Sequence, residues 1–212
     1  MISVIFDMDG TLFDTQRIYI PAWDYAGEKQ GIKGAGEHVK NCLGNNEARW
    51  KKYVVDTFVG INLERFCEDV KYYLEQNMVV KYMPGAEELL RFFKSKGIRM
   101  AIASGSPRDM IAENLKIVGG EEFFEITVGG PDVLNSKPAP DIFLLAAEKL
   151  GVDPADCFVI EDSENGLRAG IAAGMKTIGE PDVAEFGEEI KTLITAEFSS
   201  LLEALDFFKT II

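Results

Sequence analysis

Histidine is almost absent from this chain: His38 alone serves 212 residues. A Ser-His-Asp triad or a multi-histidine metal centre has no material unless His38 takes part. Within Gly36-Glu37-His38-Val39 it stands apart from every other motif and reads as a solvated helix residue. Cysteine is scarce as well. Cys42, Cys67 and Cys157 form no C-x-x-C and no close pair, which argues against a disulfide framework or a thiolate zinc site. They read as buried apolar filler in a reducing compartment, the cytoplasm. No apolar run approaches the ~18 residues that span a bilayer, and the first one is cut short by Asp7 with no basic segment ahead of it. Positive charge is also in short supply. Lys and Arg total 22 against 35 Asp and Glu, a formal charge of −13, so the surface disfavours nucleic acid and anionic membranes. A small phosphate ester is not excluded, because distant charge is screened within a Debye length of roughly 8 Å.

What is present suits an enzyme. The chain is 47% hydrophobic and long enough for one sizeable core with a smaller lobe. Short apolar runs at 4–6, 98–103, 125–128, 158–161 and 176–178 are mostly continuous, as parallel strands covered on both faces are. Helical patterns lie between them, such as 86–94 with Gly97 as its stop and 141–150 stopped by Gly151. The expected fold is a doubly wound parallel α/β sheet. The segment 15–81 breaks the alternation. Ile18, Ala22, Trp23 and Ala26, then Trp50, Val54 and Phe58, then Leu63, Phe66, Val70, Tyr73 and Leu74 recur at helical spacing, with Pro21 suited to a first turn. This is an all-helical insertion after the first strand, a lid over a core made of 1–14 and 82–212.

Reactive residue types collect behind the predicted strands, where open α/β sheets hold their reactive groups. Asp7 and Asp9 flank Met8 at the end of the first; in a regular strand they would share a face and would bind a metal or divide one proton. Ala103-Ser104-Gly105-Ser106-Pro107 follows the second, with Ser106 as an N-cap, Pro107 at the first helical position and an anion cradle of hydroxyl and amides. In Ser136-Lys137-Pro138-Ala139-Pro140 the prolines restrict the backbone and aim Lys137. Glu161-Asp162 closes the fourth strand, ahead of a small-residue helix over 166–174. Such an acidic pair suits Mg²⁺, which takes one or two carboxylates and keeps several waters.

Taken in order, Asp7-Met8-Asp9-Gly10-Thr11, Ser104, Lys137 and Glu161-Asp162 resemble the four motifs of the haloacid dehalogenase superfamily. The insertion resembles that superfamily's C1 cap, and 136–143 with 161–166 resembles the subgroup of β-phosphoglucomutase and small-metabolite phosphatases. The resemblance implies Asp7 as nucleophile, Asp9 as general acid and base, and Ser104 with the Gly105 amide gripping phosphoryl oxygens. Lys137 would neutralise their charge. Mg²⁺ would be held by Asp7, the Asp9 carbonyl and Asp162, with Glu161 ligating through water or orienting the shell. Tyr19, Trp23, Asn45, Asn46 and Arg49 are the cap residues placed to read the substrate. Where the mutase has a cap histidine and a cap arginine, this chain has Tyr19 and Glu47, which favours a phosphatase of sugar phosphates over a phosphomutase. A receiver-like, non-catalytic binding module is the alternative from another class, but it needs neither Asp9 nor the insertion. The expected partner is a small phosphorylated metabolite, handled by a monomer or weak oligomer.

Overall fold

A computed structural model describes residues 2–45 and 47–212. Six strands form one parallel sheet: β1 Ser3–Phe6, β2 Arg99–Ser104, β3 Ile126–Gly129, β4 Cys157–Glu161, β5 Lys176–Gly179 and β6 Ala196–Glu197. Their spatial order is β3-β2-β1-β4-β5-β6. The order reverses at β1, which pairs with β2 on one side and β4 on the other. A crevice therefore opens above its C-terminal end. The two-residue β6 falls in a stretch with no apolar run and was not expected.

Alternate strand residues feed two cores, one per face. Val4, Phe6, Met100, Ile102, Phe158 and Ile160 pack on Leu89, Leu90 and Phe93 of helix 86–95, Ile111 and Leu115 of helix 108–118, and Phe208 of helix 201–211. On the other face Ile5, Ala101, Ala103, Val128 and Val159 meet Ile142, Phe143, Ala146 and Leu150 of helix 141–150, and Ala169 of helix 164–172. Both faces are thus covered, which explains the near-continuous apolar strands.

The helices in chain order are α1 Tyr19–Glu28, α2 Glu47–Thr57, α3 Leu63–Asn77, α4 Ala86–Ser95, α5 Arg108–Val118, α6 Asp141–Leu150, α7 Glu164–Ala172, α8 Glu188–Lys191 and α9 Leu201–Ile211. The first three, with a 3-10 stretch over Ala35–Cys42, surround an apolar cluster of their own built on Trp23, Val39, Val54, Phe58, Phe66 and Val70. The chain enters and leaves this insertion side by side. Phe13 and Tyr82 form an antiparallel bridge, the Asp14 amide donates to Lys81 O (3.1 Å), and the Met83 amide donates to Leu12 O (2.8 Å).

Three local expectations need correction. His38 is half-buried in the 3-10 stretch rather than solvated: its Nδ1 lies 2.9 Å from Tyr53 Oη, and its ring meets Phe58 edge-on. Cys157 is buried, whereas Cys42 and Cys67 are only partly so. Ser106 does not cap α5, whose N-cap is Pro107; its hydroxyl is drawn to Asp9 instead. Among the described residues no helix is long and apolar enough to cross a membrane.

Candidate active site

β1 delivers Asp7 from a fixed backbone, because the ladder runs one step past the strand: the Asp7 amide donates to Ile160 O at 3.0 Å. The chain then turns on Gly10 at φ +84°, where an added Cβ would lie 2.7 Å from Asp162 Oδ2. Only glycine suits both the left-handed backbone and the space beside that oxygen. Since β1 ends at Phe6, the two acids do not share a strand face, and each has its own partners. Asp7 Oδ1 accepts from Lys137 Nζ at 2.5 Å. Asp9 accepts from Thr15 Oγ1 (2.6 Å), Ser106 Oγ (2.8 Å) and Ser104 Oγ (3.4 Å).

Ser104 is the last residue of β2 and is buried. Gly105 follows it and lies against the helical insertion, close to the Asn45 carbonyl. Lys137 is not at a strand end. It sits in the long connection between β3 and α6, yet it is only 2% exposed. Its ammonium bridges Asp7 Oδ1 and Glu161 Oε1, each at 2.5 Å, and lies 4.9 Å from the centre of the Phe143 ring. Burial works against the lysine charge, but Asp7 and Glu161 more than offset it and hold the ammonium above its ordinary value. Glu161 has both oxygens engaged, the second by the Ser163 amide (2.9 Å) and Ser163 Oγ (2.8 Å). Neither of its oxygens is left without a partner.

The site carries more buried negative charge than one lysine can balance. Burial lifts the Asp7 carboxyl to about 8, with Lys137 opposing and Glu161 and Asp9 adding to the rise. Burial, then Glu161 and Asp7, hold Asp162 well above its ordinary value. Asp162 Oδ1 accepts from Thr11 Oγ1 at 3.3 Å, whereas its buried Oδ2 has no partner. An orphaned carboxylate oxygen beside two further acids is what a divalent cation would satisfy. That donor set suits a hard ion that takes one or two carboxylates and keeps several waters.

The insertion contributes unevenly. Tyr19 is partly buried against the insertion's own apolar cluster, and burial, then the Asp9 charge, push its hydroxyl above its ordinary value. Trp23 is 4% exposed and packs between Trp50 and Phe66; it belongs to the insertion's core and not to the cleft. Asn45 carries a buried Oδ1 with no partner. Arg49 Nη1 donates to Lys137 O at 3.0 Å. Asn46 lies outside the described residues. A cavity of about 260 Å³ opens beside Asp162, lined by Lys40 and Asn41 from the insertion and by Asn165 and Glu185 from the core.

The sequence did not assign Thr15, Gln16 and Ser106, which surround Asp9. Gln16 Nε2 donates to the Asp9 carbonyl. The signal available for Thr15 and Gln16 was their place just beyond the Gly10 turn, which returns the chain toward Asp9.

With this geometry in view, the relatives are informative. A family model described as haloacid dehalogenase-like hydrolase matches residues 4–179. A "Phosphorylated carbohydrates phosphatase" from Thermotoga maritima is 34% identical over 181 residues, 84% of either chain. A "Probable pseudouridine-5'-phosphatase" from Drosophila melanogaster is 35% identical over 188 residues, 84% of this chain and 80% of that one. Among solved structures, a "putative beta-phosphoglucomutase" from Thermotoga maritima aligns over the whole of both chains with a TM-score of 0.78 and 30% identity. From strand order to relatives, these findings agree that the chain belongs to the haloacid dehalogenase-like hydrolases.

Proposed function

We propose that this chain is a phosphatase of small phosphorylated metabolites, sugar phosphates foremost, working through an aspartyl phosphate on Asp7 with Mg²⁺ as cofactor. The observation that carries the reading is the separation of the two acids: Asp7 faces the Lys137 ammonium, while Asp9 is held apart by three hydroxyls. This separation supports Asp7 as nucleophile and Asp9 as proton carrier. A carboxylate oxygen of Asp7 attacks phosphorus, the bond to the leaving oxygen breaks, and Asp9 gives that oxygen its proton. Water then attacks the aspartyl phosphate, Asp9 takes a proton from it, and the bond from phosphorus to Asp7 breaks to release inorganic phosphate. Ser104 and the Gly105 amide grip phosphoryl oxygens, and Lys137 offsets charge developing on them. Mg²⁺ would be held by Asp7, the Asp9 carbonyl and Asp162, and would supply further charge neutralisation. Glu161 positions Lys137.

Residues 15–81 act as the cap and 1–14 with 82–212 as the catalytic core, a division supported by the insertion's own apolar cluster. Tyr19 and Asn45 are the residues for leaving-group recognition. Three unpaired cysteines fit a reducing cytoplasm, and the substrate is met by a monomer or weak oligomer.

The test is phosphate release from a panel of phosphorylated metabolites with Mg²⁺ present. Asp7→Asn should abolish turnover while leaving the circular dichroism spectrum intact, and residual activity in a clean preparation would sink the assignment. Supplying β-glucose 1-phosphate with a trace of the 1,6-bisphosphate separates phosphatase from mutase. Free phosphate should outpace glucose 6-phosphate, since Tyr19 stands where the mutase has histidine, and Glu47 is paired on the surface with Lys51.

A further inference from the structure

Beyond the entry segment, where Arg17 pairs with Asp182, hydrogen bonds that end on backbone carbonyls tie α2 and the 43–45 loop to the core. Arg49, on α2, donates through Nη1 to Lys137 O at 3.0 Å. Asn165, on α7, donates through Nδ2 to Leu43 O at 3.1 Å. One tie runs from insertion to core and the other from core to insertion. Between them the 43–45 loop is pressed onto the sheet's loops. A Cβ on Gly44, at φ +70°, would sit 2.7 Å from Ser163 Oγ, and a Cβ on Gly105 would sit 3.6 Å from Asn45 O. Glycine at 44 permits both the left-handed backbone and the close approach.

We propose that Arg49 is a positioning residue for Lys137, and that Arg49 and Asn165 together fasten the cap to the core over the site. The proposal rests on the phosphatase reading and specifies how its site is closed. A guanidinium bonded to a peptide carbonyl makes a charge-assisted contact. This one restrains the peptide of the lysine whose Nζ bridges Asp7 and Glu161. The position of the cap is thereby passed to the ammonium, and a misplacement of about 1 Å at such a group can cost two orders of magnitude in rate.

The experiment compares Arg49→Ala, Arg49→Lys and Asn165→Ala with the parent in two ways. Kinetics are taken on p-nitrophenyl phosphate, a sugar monophosphate and a sugar bisphosphate, and amide hydrogen exchange is taken on the ligand-free proteins. Arg49→Ala should lower kcat by roughly two- to tenfold on all three substrates, the worth of one hydrogen bond, with KM little changed. Arg49→Lys keeps a donor and should recover part of the loss. Both alanine variants should speed exchange at 43–45 and 163–166 with no substrate present. A rise in KM confined to the bisphosphate would make Arg49 an anion grip, and an unchanged kcat would remove its positioning role. Unchanged exchange would remove the latch. The exchange result does not depend on turnover, so a parent that hydrolyses no phosphate ester would defeat the phosphatase reading without deciding the latch.

Discussion

Glu180 is a carboxyl without a ready place for its charge. It follows β5, is 4% exposed, and has a buried Oε2 with no partner. Burial, and then the Asp182 carboxylate, lift it from 4.5 to about 8, with a backbone hydrogen bond at Leu201 opposing. Between those two values the unfolded chain has lost the proton that the folded chain still holds. The unfolded state then binds fewer protons, so this group's contribution to stability falls as pH rises through that window. Glu180→Gln keeps the shape and removes the titration. The variant should therefore lose less of its melting temperature than the parent between pH 5 and pH 8, measured in excess Mg²⁺ to keep the site carboxylates from adding their own slope. Equal slopes would show that Glu180 does not titrate there. At the same scale, Asp7, Lys137 and Asp162 were readable because few neutral roles exist for such groups behind apolar strands. The hydroxyls of Thr15 and Ser106 were not, because a hydroxyl serves a helix cap or a carboxylate equally well and only tertiary direction decides between them.

At the level of elements, α3 holds the insertion together through Phe66, which is fully buried and meets Trp23 edge-on at 5.5 Å. Removing a buried ring of this kind costs about 3–5 kcal/mol. Phe66 belongs to an apolar cluster separate from those of the sheet. Phe66→Ala should therefore strip hydrogen-exchange protection from α1 and α3 while leaving β1 and β2 protected. Uniform loss would mean that insertion and sheet unfold as one unit. The elements themselves were largely readable. All five predicted strands are present within a residue or so at each end, and Asp141–Leu150 matches to the residue. Their continuous apolar runs and glycine stops leave few alternatives. The sequence put His38 on a helix but did not give the 3-10 stretch Ala35–Cys42 its extent, because Ala35 and Val39 alone give too weak a pattern, and tertiary packing on Val54 and Phe58 rather than local periodicity holds it in place. β6 was missed for the same reason: two residues joined to β5 have no period to detect.

The whole molecule stores an unbalanced charge at the C-terminal edge of its sheet, and a cation should be felt throughout the fold. A ligand that binds only the folded state stabilises it by about 2.7 kcal/mol at a hundredfold excess over its dissociation constant. For a chain of this length that corresponds to a rise of roughly 5–10 °C in melting temperature. Mg²⁺ should produce such a rise and chelation should reverse it. Asp162→Asn should abolish most of the shift while raising the metal-free melting temperature at neutral pH, because the orphaned carboxylate has gone. An undiminished shift would place the ion elsewhere. The paired entry and exit of the insertion have a consequence of another kind. The Phe13–Tyr82 bridge and the hydrogen bonds on either side of it fasten the flanks of 14–81 to each other, independently of whatever the chain builds in between. A segment whose ends already meet can be exchanged for a longer, shorter or unrelated one without moving either flank. If the insertion reads the substrate, as proposed, it is an interchangeable graft on a stock that keeps the chemistry, and new specificities can be acquired by swapping the graft while Asp7 stays where it is.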